Sequence, residues 1–172
     1  MSVYHLDFAS YALNILGFDE EQKAEIKDFI EGRLSTDTRK HDAEIVISDI
    51  ALAETVSKIY MSLNTQARLT DYPDYLYKLY RILSKLDPNY LPIKHEAIKA
   101  YNFLATDEYL LKDLGPHDLL ILSQAVSDKT SDYIFTIDNQ LLSYFYNKTV
   151  SEAIEQFHAE KILRVSTIIE AP

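Results

Sequence analysis

Apolar residues recur along this chain in two rhythms: short compact runs, and longer stretches spaced by three and four. Val3 to Leu6 is a short β-type run ending at Asp7, and the SYALNIL segment after it reads as a helix. From Asp19 to Leu34 the spacing of Ile26, Phe29, Ile30 and Leu34 is helical. The acidic start Asp19-Glu20-Glu21 suits the positive end of that helix. Residues 35–43, STDTRKHDA, carry no apolar anchors and are expected to form a loop. Ile45, Val46 and Ile47 then make a compact strand within Glu44 to Ser48. Ser48-Asp49 offers an N-cap for a helix to about Leu63, with Ile50, Leu52, Val56, Ile59 and Leu63 as its apolar set.

Residues 71–86 form a further helix, opened by Pro73 and dense in tyrosine. Tyr90 to Ile93 lies within a brief strand, Asn89 to Lys94, whose Pro92 suits a sheet edge. A helix follows from His95 to about Ala105. Gly115-Pro116 breaks the chain before LLILSQAV, a helix start with Pro just inside it. Tyr133 to Ile137 is a strand ending at Asp138, helical stretches continue to about Lys161, and Ile162 to Ser166 is a last strand. Strands alternating with helices predict an α/β domain with a mainly parallel sheet, here a three-layer α/β/α sandwich.

The alternation places four acids where strands hand over to helices, or one turn beyond: Asp7, Glu54, Asp118 and Asp138. Residues at the carboxyl ends of parallel strands converge on one crevice. Carboxylates gathered there repel one another unless a hard divalent cation neutralises them. Each acid also has an ordinary explanation. Asp7 and Asp138 suit N-caps, Asp118 a first helical turn, and Glu54 a solvated helix face. Two details favour the cluster. Glu54 sits in an apolar stretch, IALAETV, where a carboxylate needs a partner. Thr136, two residues before Asp138, puts a hydroxyl on the same side of its strand.

Composition narrows the partners. A chain of 172 residues, 47% hydrophobic and 26% charged, is expected to be one globular domain spanning 1–172. The lack of cysteine excludes a disulfide framework and a thiolate metal site. No apolar run approaches the roughly 20 residues that span a bilayer, and MSVYHLDFAS does not resemble a secretory signal, so no membrane partner and a cytoplasmic location are expected. A net charge of −10 argues against tight nonspecific binding to nucleic acid, unless part of it is a cation-binding cluster.

The segments VYHLD, ISDIALAETVSKI, LGPHDLLILSQA and SDYIFTIDNQLL resemble the successive motifs of the PIN-domain nucleases. In that family an Asp ends the first strand and a Glu lies in the helix after the second. A third acid begins a later helix, and a Thr-x-Asp closes the next strand. The resemblance runs from about Val3 to Thr167 and implies a PIN-like fold. It further implies that Asp7, Glu54, Asp118 and Asp138 bind Mg²⁺ or Mn²⁺, and that Thr136 orients a water or carboxylate. The implied activity is endonucleolytic hydrolysis of RNA, in which one or two cations activate water and stabilise the leaving oxygen. Toxins of toxin–antitoxin pairs, with an antitoxin-like protein partner, are one branch of the family and RNA-processing enzymes another. The family often has a small hydroxyl or amide residue two positions after the first Asp. Here that position is Ala9, so either Ser10 substitutes or this corner of the site is altered.

Other features weigh less. His5, His41, His95, His117 and His158 form no zinc spacing, and His117 is expected to help cap the helix of Asp118. Among the basic residues, Lys78, Arg81 and Lys85 recur at helical spacing on the tyrosine-rich helix. Arg39 and Lys40, in the polar loop, are the favoured phosphate contacts. Tyr72, Tyr75, Tyr77 and Tyr80 cannot all face one core, which predicts exposed tyrosine and a homodimer. A noncatalytic PIN-like binding or scaffold module, its acids serving as helix caps, is the alternative function. A metal-dependent phosphatase is a weaker one, since Asp7-Phe8-Ala9 lacks the second Asp close to an aspartyl nucleophile.

Overall fold

The computed structural model describes residues 1–18, 23–145, 147–158 and 164–166. Five parallel strands, β1 (Ser2–Leu6), β2 (Ala43–Ser48), β3 (Asn89–Leu91), β4 (Tyr133–Phe135) and β5 (Arg164–Ser166), form one sheet in the order β3-β2-β1-β4-β5. The chain builds outward from β1 through β2 to β3, then returns to place β4 on the other side of β1. The switch point therefore lies at the carboxyl ends of β1 and β4, where an open α/β sheet leaves its crevice.

The helices are α1 (Phe8–Ile15), α2 (Lys23–Lys27), α3 (Ser35–Arg39), α4 (Asp49–Thr65) and α5 (Tyr72–Leu86), then α6 (His95–Leu104), α7 (Glu108–Ser127), α8 (Asn139–Tyr144) and α9 (Lys148–Phe157). A π-helical segment, Asp28–Leu34, joins α2 to α3. Two apolar clusters occupy the two faces of the sheet. Tyr4, Leu6, Ile45, Ile47 and Phe135 pack with α1, α4, α5 and the π-helical segment. Ile134 packs on the other side with α6, α7, α8 and α9. Adjacent residues Ile134 and Phe135 enter opposite clusters because successive strand side chains point to opposite faces. Burial on both faces explains why β1 and β2 read as continuous apolar runs rather than alternating ones.

Among the buried polar residues, the imidazole on β1 stands out. His5 is fully buried, and neither ring nitrogen has a hydrogen-bond partner. Burial pushes its pKa down to about 4, against the pull of the nearby Asp128 carboxylate, so the ring is neutral at pH 7.

Several sequence expectations hold closely. Ser48 caps α4, its hydroxyl accepting from the Ile50 N–H at 3.1 Å. β3 is an edge strand, though it ends at Leu91 rather than Lys94. The Gly115-Pro116 break is a kink within α7, with Gly115 at φ 75° and ψ 173°. Helix from Glu108 to the kink was not anticipated; Asp107 caps it, accepting from the Tyr109 and Leu110 N–H groups.

Residues 35–43 are not simply a loop. Ser35–Arg39 is helical because its polar groups find local backbone partners: the Thr38 hydroxyl donates to Leu34 O and the Arg39 Nε to Ser35 O. The Ser35 hydroxyl also donates to Lys85 O on α5, a contact that sequence spacing cannot show. The acidic start at Asp19 to Glu21 and the helix end near Lys161 lie outside the described residues.

Candidate active site

Asp7 follows β1 directly and stands at the switch point. Its N–H donates to Phe135 O at 2.9 Å, fastening the first helix junction to β4. It occupies the N-cap position of α1, but its side chain makes no capping bond. Its carboxylate instead accepts from the Thr136 hydroxyl at 2.7 Å, and that same oxygen of Thr136 accepts from the Asp138 N–H at 3.0 Å. One buried hydroxyl thus fixes Asp7 and the backbone of Asp138 together, across 129 residues of chain. β4 ends at Phe135, so Thr136 lies just beyond the strand rather than within it. Asp138 does act as a cap: its Oδ1 accepts from the Gln140 N–H at 2.8 Å, at the start of α8.

The other two acids arrive on helices. Glu54 lies in the second turn of α4, and its side chain is only 10% exposed. A solvated helix position is therefore not its setting. Its Oε1 pairs with Lys58 Nζ at 2.7 Å, while Oε2 is buried without a hydrogen-bond partner. Asp118 is half-buried in the first turn after the kink, where unpaired helix amides favour negative charge. The Gly115 conformation, open to glycine and strained for other residues, starts this second helical segment and so positions Asp118.

The four carboxylates feel one another. Burial pushes the Asp7 carboxyl up to about 7, and the charges of Asp118, Asp138 and Glu54 add to that against the Thr136 hydrogen bond. Burial also raises Asp118, to about 6, helped by Glu54 and Asp138 and opposed by Lys58 and His117. Burial works against the Lys58 ammonium, yet its hydrogen bond to Glu54 and the charges of Glu54, Asp118 and Asp7 outweigh it and raise its pKa. Lys58 is the residue that sequence reasoning missed. Its signal was the i,i+4 spacing from Glu54, which places the two side chains on one helix face.

An all-carboxylate donor set is the chemistry that a hard divalent cation takes. As the side chains stand, no three acidic or histidine side chains among the described residues are close enough together to hold an ion. Glu54 Oε1 is paired with Lys58, and the Asp138 Oδ1 is engaged by α8. The donor set nevertheless fits such an ion in kind. Four mutually repelling carboxylates include a buried oxygen without a partner, Glu54 Oε2, and in this arrangement the Lys58 ammonium supplies the compensating charge.

Two hollows flank Lys58 and Met61, which line both. One, of about 750 Å³, is bordered by Ser10, Leu13, Phe18, Asp138 and Gln140. The other, of about 480 Å³ and more apolar, is bordered by Ile50, Ala53, Glu54, His117 and Leu120. Ser10 thus faces the crevice beside Asp138, and His117 lines its far side. Arg39 and Lys40 do not reach it. They precede β2, whose first residue Ala43 pairs with Ser2, so they sit at the amino ends of the strands while the acids stand at the carboxyl ends. A parallel sheet puts those ends on opposite sides of the molecule.

The fold is PIN-like: three layers, with a parallel sheet and acids at its switch point. No protein-family model matches the sequence, and no curated protein does. Among solved structures, the chain is similar to a chain of VapBC2 from Rickettsia felis, determined bound to a DNA fragment from their promoter. The TM-score is 0.59 at 17% identity, covering 96% of this chain and 98% of that one. At that identity the likeness speaks to the fold. No helix among the described residues is long and apolar enough to cross a membrane.

Proposed function

We propose that this protein is a divalent-metal-dependent endoribonuclease, with Asp7, Glu54, Asp118 and Asp138 holding Mg²⁺ or Mn²⁺. The observation that carries this reading is the buried Asp7 carboxylate at the sheet's switch point, held by Thr136 at 2.7 Å and raised to about 7 chiefly by burial, with the charges of Asp118, Asp138 and Glu54 adding to it. A bound cation supplies activation of a water molecule and stabilises charge on the leaving oxygen of a phosphodiester. The chain's own residues do the placing. Thr136 holds Asp7 toward the crevice, and the kink at Gly115 delivers Asp118. Lys58, 48% exposed on a flexible stem, must release Glu54 Oε1 for that oxygen to become a ligand. It is then free to meet a phosphate oxygen of the substrate. Ser10, on the crevice wall, replaces the small polar residue that Ala9 lacks.

An antitoxin-like protein and a second copy of the chain are the partners this reading brings with it; a monomer in sedimentation at micromolar concentration would remove the homodimer. The PIN-like scaffold without catalysis is the second reading, favoured by one observation, the Glu54–Lys58 pair that satisfies part of the acidic charge from within.

Incubation with single-stranded RNA and Mn²⁺ or Mg²⁺ separates the two. The expected result is internal cleavage that is lost in the Asp7→Asn, Asp118→Asn double variant, with calorimetric Mn²⁺ binding lost in parallel. Cleavage persisting in the double variant refutes the assigned site. Absence of both cleavage and cation binding in the unaltered chain leaves the scaffold reading.

A further inference from the structure

In a chain of net charge −10, positive charge gathers in one hollow away from the acids. This groove, of about 380 Å³, lies between the end of α1 and the face of α5, and Lys27, Lys78, Arg81 and Lys85 line it around a single carboxylate, Glu31. Lys85 pairs with Glu31 at 3.0 Å and Lys78 with Asp74 at 2.9 Å. Arg81 and Lys27 have no ion-pair partner among the described residues. Lys78, Arg81 and Lys85 fall at i, i+3 and i+7 on α5, a spacing that aligns them along one helix face over about 10 Å.

Next to this row stand two exposed aromatic rings. Tyr77 and Tyr80 are 60% and 64% exposed and stack on each other, with centroids 6.4 Å apart and planes at 30°. The groove shares no lining residue with the acidic crevice, but a run of ring contacts joins their walls. Phe18, on the crevice wall, packs on Tyr75 at 5.0 Å, and Lys78 Nζ lies over that Tyr75 ring at 4.8 Å. Helix α1 borders both hollows, with Leu13 toward the crevice and Ile15 and Leu16 toward the groove.

We infer that this α5 groove binds the phosphate backbone of a single-stranded RNA whose neighbouring segment enters the acidic crevice, with Tyr77 and Tyr80 offered to its bases. The inference rests on the ribonuclease reading for the identity of the polymer. Cations that track phosphates and exposed aromatic faces that stack on bases are the two elements of single-strand recognition. An acidic peptide would satisfy the cations but leave the paired rings unused. The location also resolves the charge problem. The acids at the crevice repel RNA, so a separate cationic anchor is needed to hold the strand there.

The test is fluorescence anisotropy with a labelled 20-nucleotide single-stranded RNA, at several salt concentrations. It uses the Asp7→Asn chain without divalent cation, so that binding is read independently of cleavage. The expected result is salt-dependent binding that falls at least tenfold in the Lys78→Glu, Arg81→Glu, Lys85→Glu variant. Replacing the three lysine and arginine residues with Gln instead should flatten the log–log salt slope by about 2, given about 0.7 for each single-strand phosphate contact. Tyr77→Ser, Tyr80→Ser, which touches only exposed rings, should lose about fivefold or more with the fold intact by circular dichroism. Unchanged affinity in either the charge or the tyrosine variants overturns the inference. So does preferential binding of poly-glutamate that RNA does not displace, which assigns the groove to a protein partner. Failure of the unaltered chain to cleave RNA, with the groove binding as expected, overturns the ribonuclease reading alone.

Discussion

Asp7→Asn should stabilise the cation-free protein at alkaline pH while destroying the function proposed for it. The Asp7 carboxyl moves from its ordinary 3.8 to about 7 in the folded chain, chiefly through burial. Between those values the folded protein holds a proton that the unfolded chain has released, so stability falls as pH rises from about 4 to about 7 and is level above that. At about 1.4 kcal/mol per tenfold change in the ionisation constant, the cost reaches about 4 kcal/mol by pH 8. At pH 4 it is only about half a kcal/mol. Asparagine removes the ionisation and keeps an oxygen to accept from Thr136. The residue is 4% exposed, so solvent relieves little of this cost. For a chain of this length, about 4 kcal/mol corresponds to a rise in Tm on the order of 10 °C. The assay is thermal unfolding of both chains in chelator from pH 4 to pH 8. The gap between them should open as pH rises. A constant gap, or a variant less stable than the parent at pH 8, would refute the burial and repulsion argument for this site.

The remaining predictions concern what holds the acids in place. Thr136→Val should cost about 1–3 kcal/mol in urea unfolding, because it strands both the Asp7 carboxylate and the Asp138 N–H, and Thr136→Ser should restore most of it. Lys58→Met should destabilise the chain by about 1 kcal/mol at pH 8, the modest value expected for a pair half open to solvent, and by less at pH 5, where Asp118 and Asp7 are largely protonated. Equal losses at the two pH values would show that Lys58 does not answer the acidic cluster. Gly115→Ala should cost about 1–3 kcal/mol from backbone strain alone, since an added Cβ meets nothing within 4 Å. By shifting Asp118 it should also lower RNA cleavage more than Gly32→Ala does, a change at a second glycine whose Cβ would likewise meet nothing.

Local pattern was sufficient for several features whose cause is local, though it missed the short helix Ser35–Arg39 and the Asp107 cap. The buried runs of β1 and β2, the Ser48 cap and the Gly115-Pro116 break all follow from burial period, side-chain acceptors and φ preference. The alternation of strands and helices made the parallel sheet legible, and it identified the four acids as a set worth weighing. What the sequence could not contain was the strand order. Only with β1 between β2 and β4 do Asp7 and Thr136 meet, and that bond joins residues 129 apart. The place of Arg39 and Lys40 just before β2 puts them at the far end of the strands, away from the acids. Burial was decided there too. Glu54 read as an acid in apolar company; its lysine partner is an i,i+4 neighbour on α4, but the burial of its unsatisfied oxygen depends on how α4 packs. Propensity and capping act within a few residues, whereas electrostatic cost depends on which distant charges share one volume of low dielectric, and only the folded chain sets that.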